Sequence, residues 1–413
     1  MGPEGVEETE IGVDDGQISQ VGRRGLKGSR VIEAGRCLIF PGFIDIHVHL
    51  REPGREFEED FRSGTEAAIH GGVTTVVDMP NNPVPAITQA ALLEKRRLSA
   101  KALVDVLFYA GIRQDSLAEV VRTAKLVVGY KIYLAQSTGG LVYPWERLPE
   151  AFARVAETGL PVSIHCEDQG IIDKRAASLA GVDRPDVFAD VRPPESEVSS
   201  VRKVVAAFRS SGRLRVNVCH ASTKETLDLV EQTRSDGLAI DCEAALHHLF
   251  FNRRSMLTNR LLRTNPPLRD EDDRAALVRG LDDGRVSFLV TDHAPHTREG
   301  KESEGLSGVP GLDDYAHMVS WLVKRQDVSP SSICRTACLG PARFAGLKDR
   351  GEIAAGKKAS FTVLDLCSPE KVTSDAVRSR CGWSPYEGLE FPGRAKWVIA
   401  DGEPVLEKYE QVT

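Results

Sequence analysis

Residues 40–54 read FPGFIDIHVHLREPG, an apolar run that ends on two histidines one residue apart and is followed at once by an arginine. In an extended strand, positions i and i+2 face the same way, so His47 and His49 can point together and bind one metal ion. Taken alone, an HxH pair fits equally well with two half-exposed histidines on a strand edge. The rest of the chain decides between them. Short β-branched runs bounded by turn residues recur at 37–48, 73–79, 103–111, 128–135, 161–166, 214–220, 238–244 and 286–292, eight in all. Most are separated by stretches with helical spacing, such as ALLEKRRLSAKA and KETLDLVEQTRSDG. Near-continuous apolar strands that alternate with amphipathic helices describe a parallel sheet, and eight such units are what a closed (β/α)8 TIM-type barrel needs.

In such a barrel the C-terminal strand ends open onto one face, where active sites are built. Here His47 and His49 end the first strand, Lys131 lies in the fourth, His165 ends the fifth and His220 the sixth. Asp292 ends the eighth, with His293 and His296 just beyond. Four histidines and an aspartate exceed the three protein ligands of a usual catalytic zinc, which suggests two ions. Lys131 is the discordant member, because divalent cations repel an ammonium and burying one unpaired costs several kcal/mol. Either it snorkels outward or pairs with an acid, or its amine has reacted with carbon dioxide to give an anionic carbamate able to bridge two metals. Asp292 suits a metal ligand, a general acid/base or both, against the plainer role of a helix cap. Spacing names no partner for His70, His247, His248 or His317, and His70 is expected at a helix end.

A chain of 413 residues accommodates a barrel of about 250 residues and a smaller unit. The barrel is expected over 41–349. Residues 1–40 and 350–413 are expected to form a small β-sandwich, since EIGVDDGQISQVG, ASFTVLDL and RAKWVIADGEPV read as short strands with DG-type turns. The apolar fraction of 41% and charged fraction of 27% are ordinary for a globular protein. No run of about 18 apolar residues exists and the acidic start lacks the features of a signal peptide, so a cytoplasmic location is expected. A net charge of -7 speaks against nucleic acid or an anionic membrane as partner. The eight cysteines contain no CxxC pair and are expected to be reduced and mostly buried. The charged, Gly-rich stretch 296–311 lies where a mobile active-site loop would lie.

The stretches PGFIDIHVHLREPG, GGVTTVVDMPNNP, GYKIYL, IHCED, CHAST, NPPLR, TDHAPH, SGVPGL and WSPYEG carry a specific likeness. With them the chain resembles the amidohydrolase superfamily and, within it, the dihydroorotases of pyrimidine biosynthesis. The resemblance implies a barrel with a β-sandwich from both termini. It implies two zinc ions, with His47, His49 and Asp292 on the more buried one and His165 and His220 on the other. Carboxylated Lys131 and a hydroxide would bridge them, and Asp292 would double as general acid/base. Arg51, Asn81 and His296 would hold the substrate carboxylate, with Asn265 lining the pocket; a planar guanidinium suits that task. The implied reaction is the reversible cyclisation of N-carbamoyl-L-aspartate to L-dihydroorotate. Relatives form homodimers, and some associate with aspartate carbamoyltransferase. The same ligands accept zinc, cobalt or manganese.

Several stretches depart from that pattern. The segment before EIGVDDG is short, so the sandwich is expected to be incomplete; EAALHHLFF lacks a Thr-Pro before the histidine pair; PGLDDYAHMV replaces the usual PGLE run. These bear on the substrate more than on the metals. Allantoinases and hydantoinases are the nearest rivals, and Arg51 speaks against both, because neither allantoin nor a plain hydantoin presents a carboxylate. A metal-free scaffold or interaction protein is the remaining alternative, and the complete ligand set speaks against it.

Overall fold

Gly42 divides the opening stretch into two strands that belong to different sheets. The computed structural model describes residues 5–22, 25–211 and 214–412. In it β3 (Leu38–Pro41) follows a hairpin of β1 (Glu10–Asp14) and β2 (Gln17–Gly22), and β4 (Phe43–Val48) starts the barrel. The sequence reading of 37–48 as one strand is corrected here, and the reason is steric. A Cβ at Gly42 would lie 2.1 Å from Thr74 Oγ1, so only glycine lets the chain pass while its N–H donates to Ser360 O at 2.8 Å.

All eight expected barrel strands are present. After β4 come β5 (Val73–Asp78), β6 (Asp105–Gly111), β7 (Gly129–Tyr133), β8 (Val162–His165), β9 (Val216–Val218), β10 (Ile240–Ala245) and β11 (Phe288–Val290). They pair in sequence order and in parallel. Every residue of β4, β5, β7 and β8 is buried, as the unbroken apolar runs demand. Between β11 and β4 the ladder shrinks to one bridge, Val48 with His293. Asp45 reinforces this seam: its carboxylate accepts from His47 N at 3.0 Å, Thr291 N at 3.1 Å and the Thr291 hydroxyl. Burial pushes Asp45 up to about 7. The barrel is thus nearly closed, with a polar clasp where the first and last strands meet.

Helices cover the strands through one large apolar cluster, in which Val76, Ile132, Ile164 and Val218 meet Phe61, Phe152, Val201, Leu227 and Leu277. The helix Phe61–His70 shows how local sequence sets an element. Asp60 and Ser63 form a reciprocal cap at its start, it buries Phe61, Ala67, Ala68 and Ile69, and it ends at His70 as expected. Removing a cap of this kind costs about 1 kcal/mol.

The termini contribute small sheets. β12 (Phe361–Asp365) precedes a short pair, β13 (Glu370–Lys371) with β14 (Glu390–Phe391), and then β15 (Arg394–Ala400), β16 (Glu403–Glu407) and β17 (Glu410–Gln411). An antiparallel sheet runs β17-β16-β15-β12-β3. The β1–β2 hairpin adds Ile18 to a cluster with Phe361, Val363, Trp397 and Ile399. The stretch 296–311, expected where a mobile active-site loop would lie, carries the helix Arg298–Ser303, with Thr297 Oγ1 accepting from Gly300 N at 3.1 Å. Buried Lys301 anchors it, its Nζ donating to Arg263 O and Gly308 O at 2.7 Å each. Cys334 and Cys338 are buried free thiols. Among the described residues, no helix is long and apolar enough to cross a membrane.

Candidate active site at the barrel mouth

The strand ends enclose a cavity of about 100 Å³. Its walls include His47, His49, Arg51, Asn81, His165, His220, Asn265, Asp292 and His296, every residue given a metal or substrate role from the sequence except Lys131. Lys131 is fully buried on β7, close enough to oppose protonation of His47 and His165. Three of these residues turn off their strand ends with left-handed backbone: Arg51 (φ 61°), His220 (φ 36°) and Asp292 (φ 48°). Such geometry costs roughly 1–2 kcal/mol per non-glycine residue and concentrates where side chains must be aimed.

One half of the cluster is built from β4 and the end of β11. His47 Nε2 and His49 Nε2 lie 3.4 and 3.2 Å from the same Asp292 Oδ1. The other ring nitrogens are committed, His47 Nδ1 to Glu243 and His49 Nδ1 to Asn81 Oδ1 at 2.6 Å. Oδ1 of Asn81 only accepts and Glu243 is a carboxyl, so each ring carries its hydrogen on Nδ1 and presents a bare Nε2 lone pair. Two lone pairs and a carboxylate oxygen therefore converge without a donor between them. That donor set fits a cation, and the three ligand atoms lie within 4.8 Å of one another.

The other half comes from β7, β8 and β9. His165 Nδ1 faces His220 Nε2 at 3.0 Å, and His165 Nε2 meets Glu167 Oε2 at 2.9 Å. Arg192 Nε backs Glu167 at 3.0 Å. Burial works against the Glu167 charge, but Arg192 and His165 hold its carboxyl well below the usual range. His220 Nδ1 is buried without a partner. Lys131 Nζ donates to Cys219 Sγ at 2.7 Å, and among the described residues it makes no ion pair. Besides the thiol it meets the face of the Tyr133 ring, 5.1 Å from its centroid, and a buried ammonium without a paired carboxylate is poorly compensated, which suits conversion of that amine to an anion.

Burial dominates the electrostatics. It keeps His47, His49 and His220 well below the ordinary histidine range and lowers His165 as well, so all four offer neutral, metal-competent nitrogens. It raises Glu243 and pushes Asp292 up to about 7.

Beside the metal-type ligands lies a cationic corner. Arg51 is buried; its Nε donates to Pro295 O at 2.9 Å and its Nη2 to His296 Nε2 at 3.1 Å. Asn265 Oδ1 is buried without a partner. Asn81 commits Oδ1 to His49 and donates Nδ2 to Ser137 Oγ at 3.2 Å, so it braces a ring as well as lining the cavity.

Sequence reasoning missed the supports. Glu243 sits in the buried strand β10 and also accepts from Asn217 Nδ2 at 2.8 Å and from His220 N at 3.1 Å, tying both halves together. An acid within the apolar strand LAIDCEA, which holds Asp241 and Glu243, was the available signal. His293 faces away: Nε2 is 3.3 Å from Glu59 and Nδ1 accepts from Gly311 N at 3.1 Å. His248 Nε2 meets Pro266 O at 3.1 Å, and His247 is buried beside it.

Comparison with known proteins matches a model described as "Amidohydrolase family" over residues 38–405. A protein named dihydroorotase from Methanothermobacter thermautotrophicus is 35% identical over 406 aligned residues, covering 96% of this chain and 90% of that one. One of the same name from Lactiplantibacillus plantarum is 30% identical, covering 98% and 96%. Among solved structures, an L-hydantoinase (dihydropyrimidinase) from Arthrobacter aurescens superposes with a TM-score of 0.96 at 26% identity, covering 100% of this chain and 95% of that one. A D-hydantoinase gives 0.92 at 22% identity, covering 100% and 94%, a likeness of fold.

Proposed function

The chain belongs to the amidohydrolase family, and on that premise we propose that it is a dihydroorotase, a cyclic-amide hydrolase interconverting L-dihydroorotate and N-carbamoyl-L-aspartate. The relatives of that name support the reading. The observation that carries the substrate is the corner formed by Arg51, His296 and Asn265, which offers charge and hydrogen bonds to a ring bearing a carboxylate. The structural likeness to hydantoinases supports a second reading, but a neutral hydantoin would give the buried Arg51 Nη atoms no carboxylate to bind in the cavity.

His47, His49 and Asp292 would hold one zinc ion and His165 and His220 the other, with Lys131 as a carbamate between them. Bound there, the metals lower the pKa of water and polarise a carbonyl oxygen. The chain's own groups do the rest. Arg51 and His296 fix the carboxylate, and the unpartnered Asn265 Oδ1 can accept from a ring N–H. In ring opening, water adds to the amide carbonyl carbon, Asp292 removes the proton, the ring C–N bond breaks, and Asp292 returns that proton to the departing nitrogen. Ring closure is the reverse, with loss of water. Glu243 and Asn81 keep the lone pairs of His47 and His49 aimed throughout.

The reading extends to a cytoplasmic setting and to self-association or association with aspartate carbamoyltransferase, which light scattering of the chain alone and of the mixture would check. The primary test is the loss of ultraviolet absorbance as zinc-loaded protein opens L-dihydroorotate, with allantoin and hydantoin in parallel. Turnover of dihydroorotate alone, abolished in Arg51→Ala, supports substrate and anchor together; turnover of hydantoin alone would replace the substrate.

A further inference from the structure

Glu58 is a buried acid that the reaction above does not use. It is 1% exposed, in the turn that follows β4. Its Oε1 accepts from Arg55 Nη2 at 2.8 Å and from His296 Nδ1 at 2.9 Å. Its Oε2 is buried without a hydrogen-bond donor and lies 3.8 Å from Arg51 Nε. A carboxylate has therefore been placed directly behind the two side chains assigned to the substrate's own carboxylate.

The ring of His296 is pulled two ways at its other nitrogen. Nε2 lies 3.1 Å from Arg51 Nη2, which can only donate, and 3.1 Å from Ser307 O, which can only accept. A neutral ring with its hydrogen on Nδ1 satisfies Glu58 and Arg51 and leaves Ser307 O unmet. A doubly protonated ring satisfies Glu58 and has an Nε2–H to give, but Arg51 then repels it. The charged groups that face the ring are Arg51, Glu58 and Lys301, with Arg55 behind Glu58. Burial first and then Arg51 outweigh Glu58, so that His296 is pushed down to about 4 and the ring is neutral near pH 7. An anion seated against Arg51 offsets the guanidinium and adds its own charge to that of Glu58, which favours the protonated ring.

We propose that Glu58 is the positioning residue of the carboxylate corner, holding His296 by Nδ1 and supplying the fixed negative charge that lets the ring take up a proton at Nε2 when the substrate carboxylate docks against Arg51. The inference rests on the dihydroorotase reading for its ligand. The proton comes from solvent and returns to it when the ligand leaves, and no covalent bond changes. Binding that takes up one proton weakens by up to about tenfold per pH unit as pH rises from the free ring's titration toward that of the complex, and is level above it.

Two variants separate charge from contact: Glu58→Gln keeps an acceptor for Nδ1 without the charge, and Glu58→Ala removes both. With zinc-loaded enzyme and L-dihydroorotate, Glu58→Gln is expected to raise KM roughly tenfold near pH 6, with a much smaller change in kcat, and to flatten the rise of KM with pH expected of the wild type. A KM–pH profile in Glu58→Gln that superimposes on the wild type would overturn the proposal, as would a loss confined to kcat. Ring-nitrogen NMR on histidine-labelled, substrate-free protein supplies an arm independent of turnover. The Nδ1–H tautomer of His296 is expected in wild type and Glu58→Gln, and the Nε2–H tautomer, bonded to Ser307 O, in Glu58→Ala. An unchanged tautomer in Glu58→Ala overturns the positioning role. The tautomer switch in Glu58→Ala, together with a wild type that neither opens nor binds L-dihydroorotate, keeps that role and overturns the dihydroorotase reading and the proton uptake.

Discussion

At the barrel mouth His47, His49, His165 and His220 are buried and held below the ordinary histidine range, whereas His317, as deeply buried beside the β13–β14 pair, is pushed up to about 9. Burial opposes the charge in both places. The difference lies in what faces the rings. His317 Nδ1 and Nε2 both meet acids, Asp314 at 3.3 Å and Glu370 at 2.9 Å, and Arg394 in turn holds Glu370 at 2.6 Å. At the mouth the rings face one another and Lys131, and the acid behind His47 is itself raised by burial. Two committed carboxylates make a histidine a charged strut between a barrel helix (Tyr315–Arg325) and the C-terminal strands. At the mouth, burial raises both acids that face His47, Glu243 and Asp292, and no ring meets two charged carboxylates, so each stays neutral with a lone pair to give to a metal.

The sharpest break in this contrast is Lys131→Met, which removes the amine proposed to bridge the metals while leaving the rings neutral. Ring-opening activity is expected to fall by ~10⁴-fold or more, with metal analysis showing fewer ions per chain. Asp292→Asn keeps the shape of the acid but cannot carry the proton, and kcat is expected to drop by about 10³-fold in a steady-state assay. Glu243→Gln tests whether orientation matters: chelator competition should register a metal affinity weaker by roughly 10- to 100-fold.

The smallest expected effect is on His317. Its pKa is raised on folding, so its contribution to stability is complete below the unfolded value near 6.5 and is lost as pH climbs through about 9. The full contribution is on the order of 3 kcal/mol. Denaturant unfolding of the wild type should weaken over that window, and His317→Gln should be less stable near pH 6 and flatter across it. An equal slope in both proteins would erase the contrast with the mouth.

Much of this was legible in the chain. Eight apolar runs separated by helical spacing named the barrel, and strand-end histidines named its mouth, because both follow from periodicities of two and 3.6 that local sequence carries. The break at Gly42 was not legible, since the atom that forbids a side chain there belongs to Thr74 on another strand. Nor was the helix at 298–303, whose anchor Lys301 reads locally as a solvated charge. Glu243 and Glu58 were missed for the same reason: the rings they hold lie 196 and 238 residues away in the chain.

Sequence alone therefore determined which side chains stand at the strand ends and which chemistry they can supply. Tertiary structure alone decided which nitrogen of each ring is bare, which histidines are neutral and which acid stands behind Arg51 and His296. Those properties depend on burial and on partners brought together from distant strands, and they act over a few ångströms of space that no local stretch of sequence encodes.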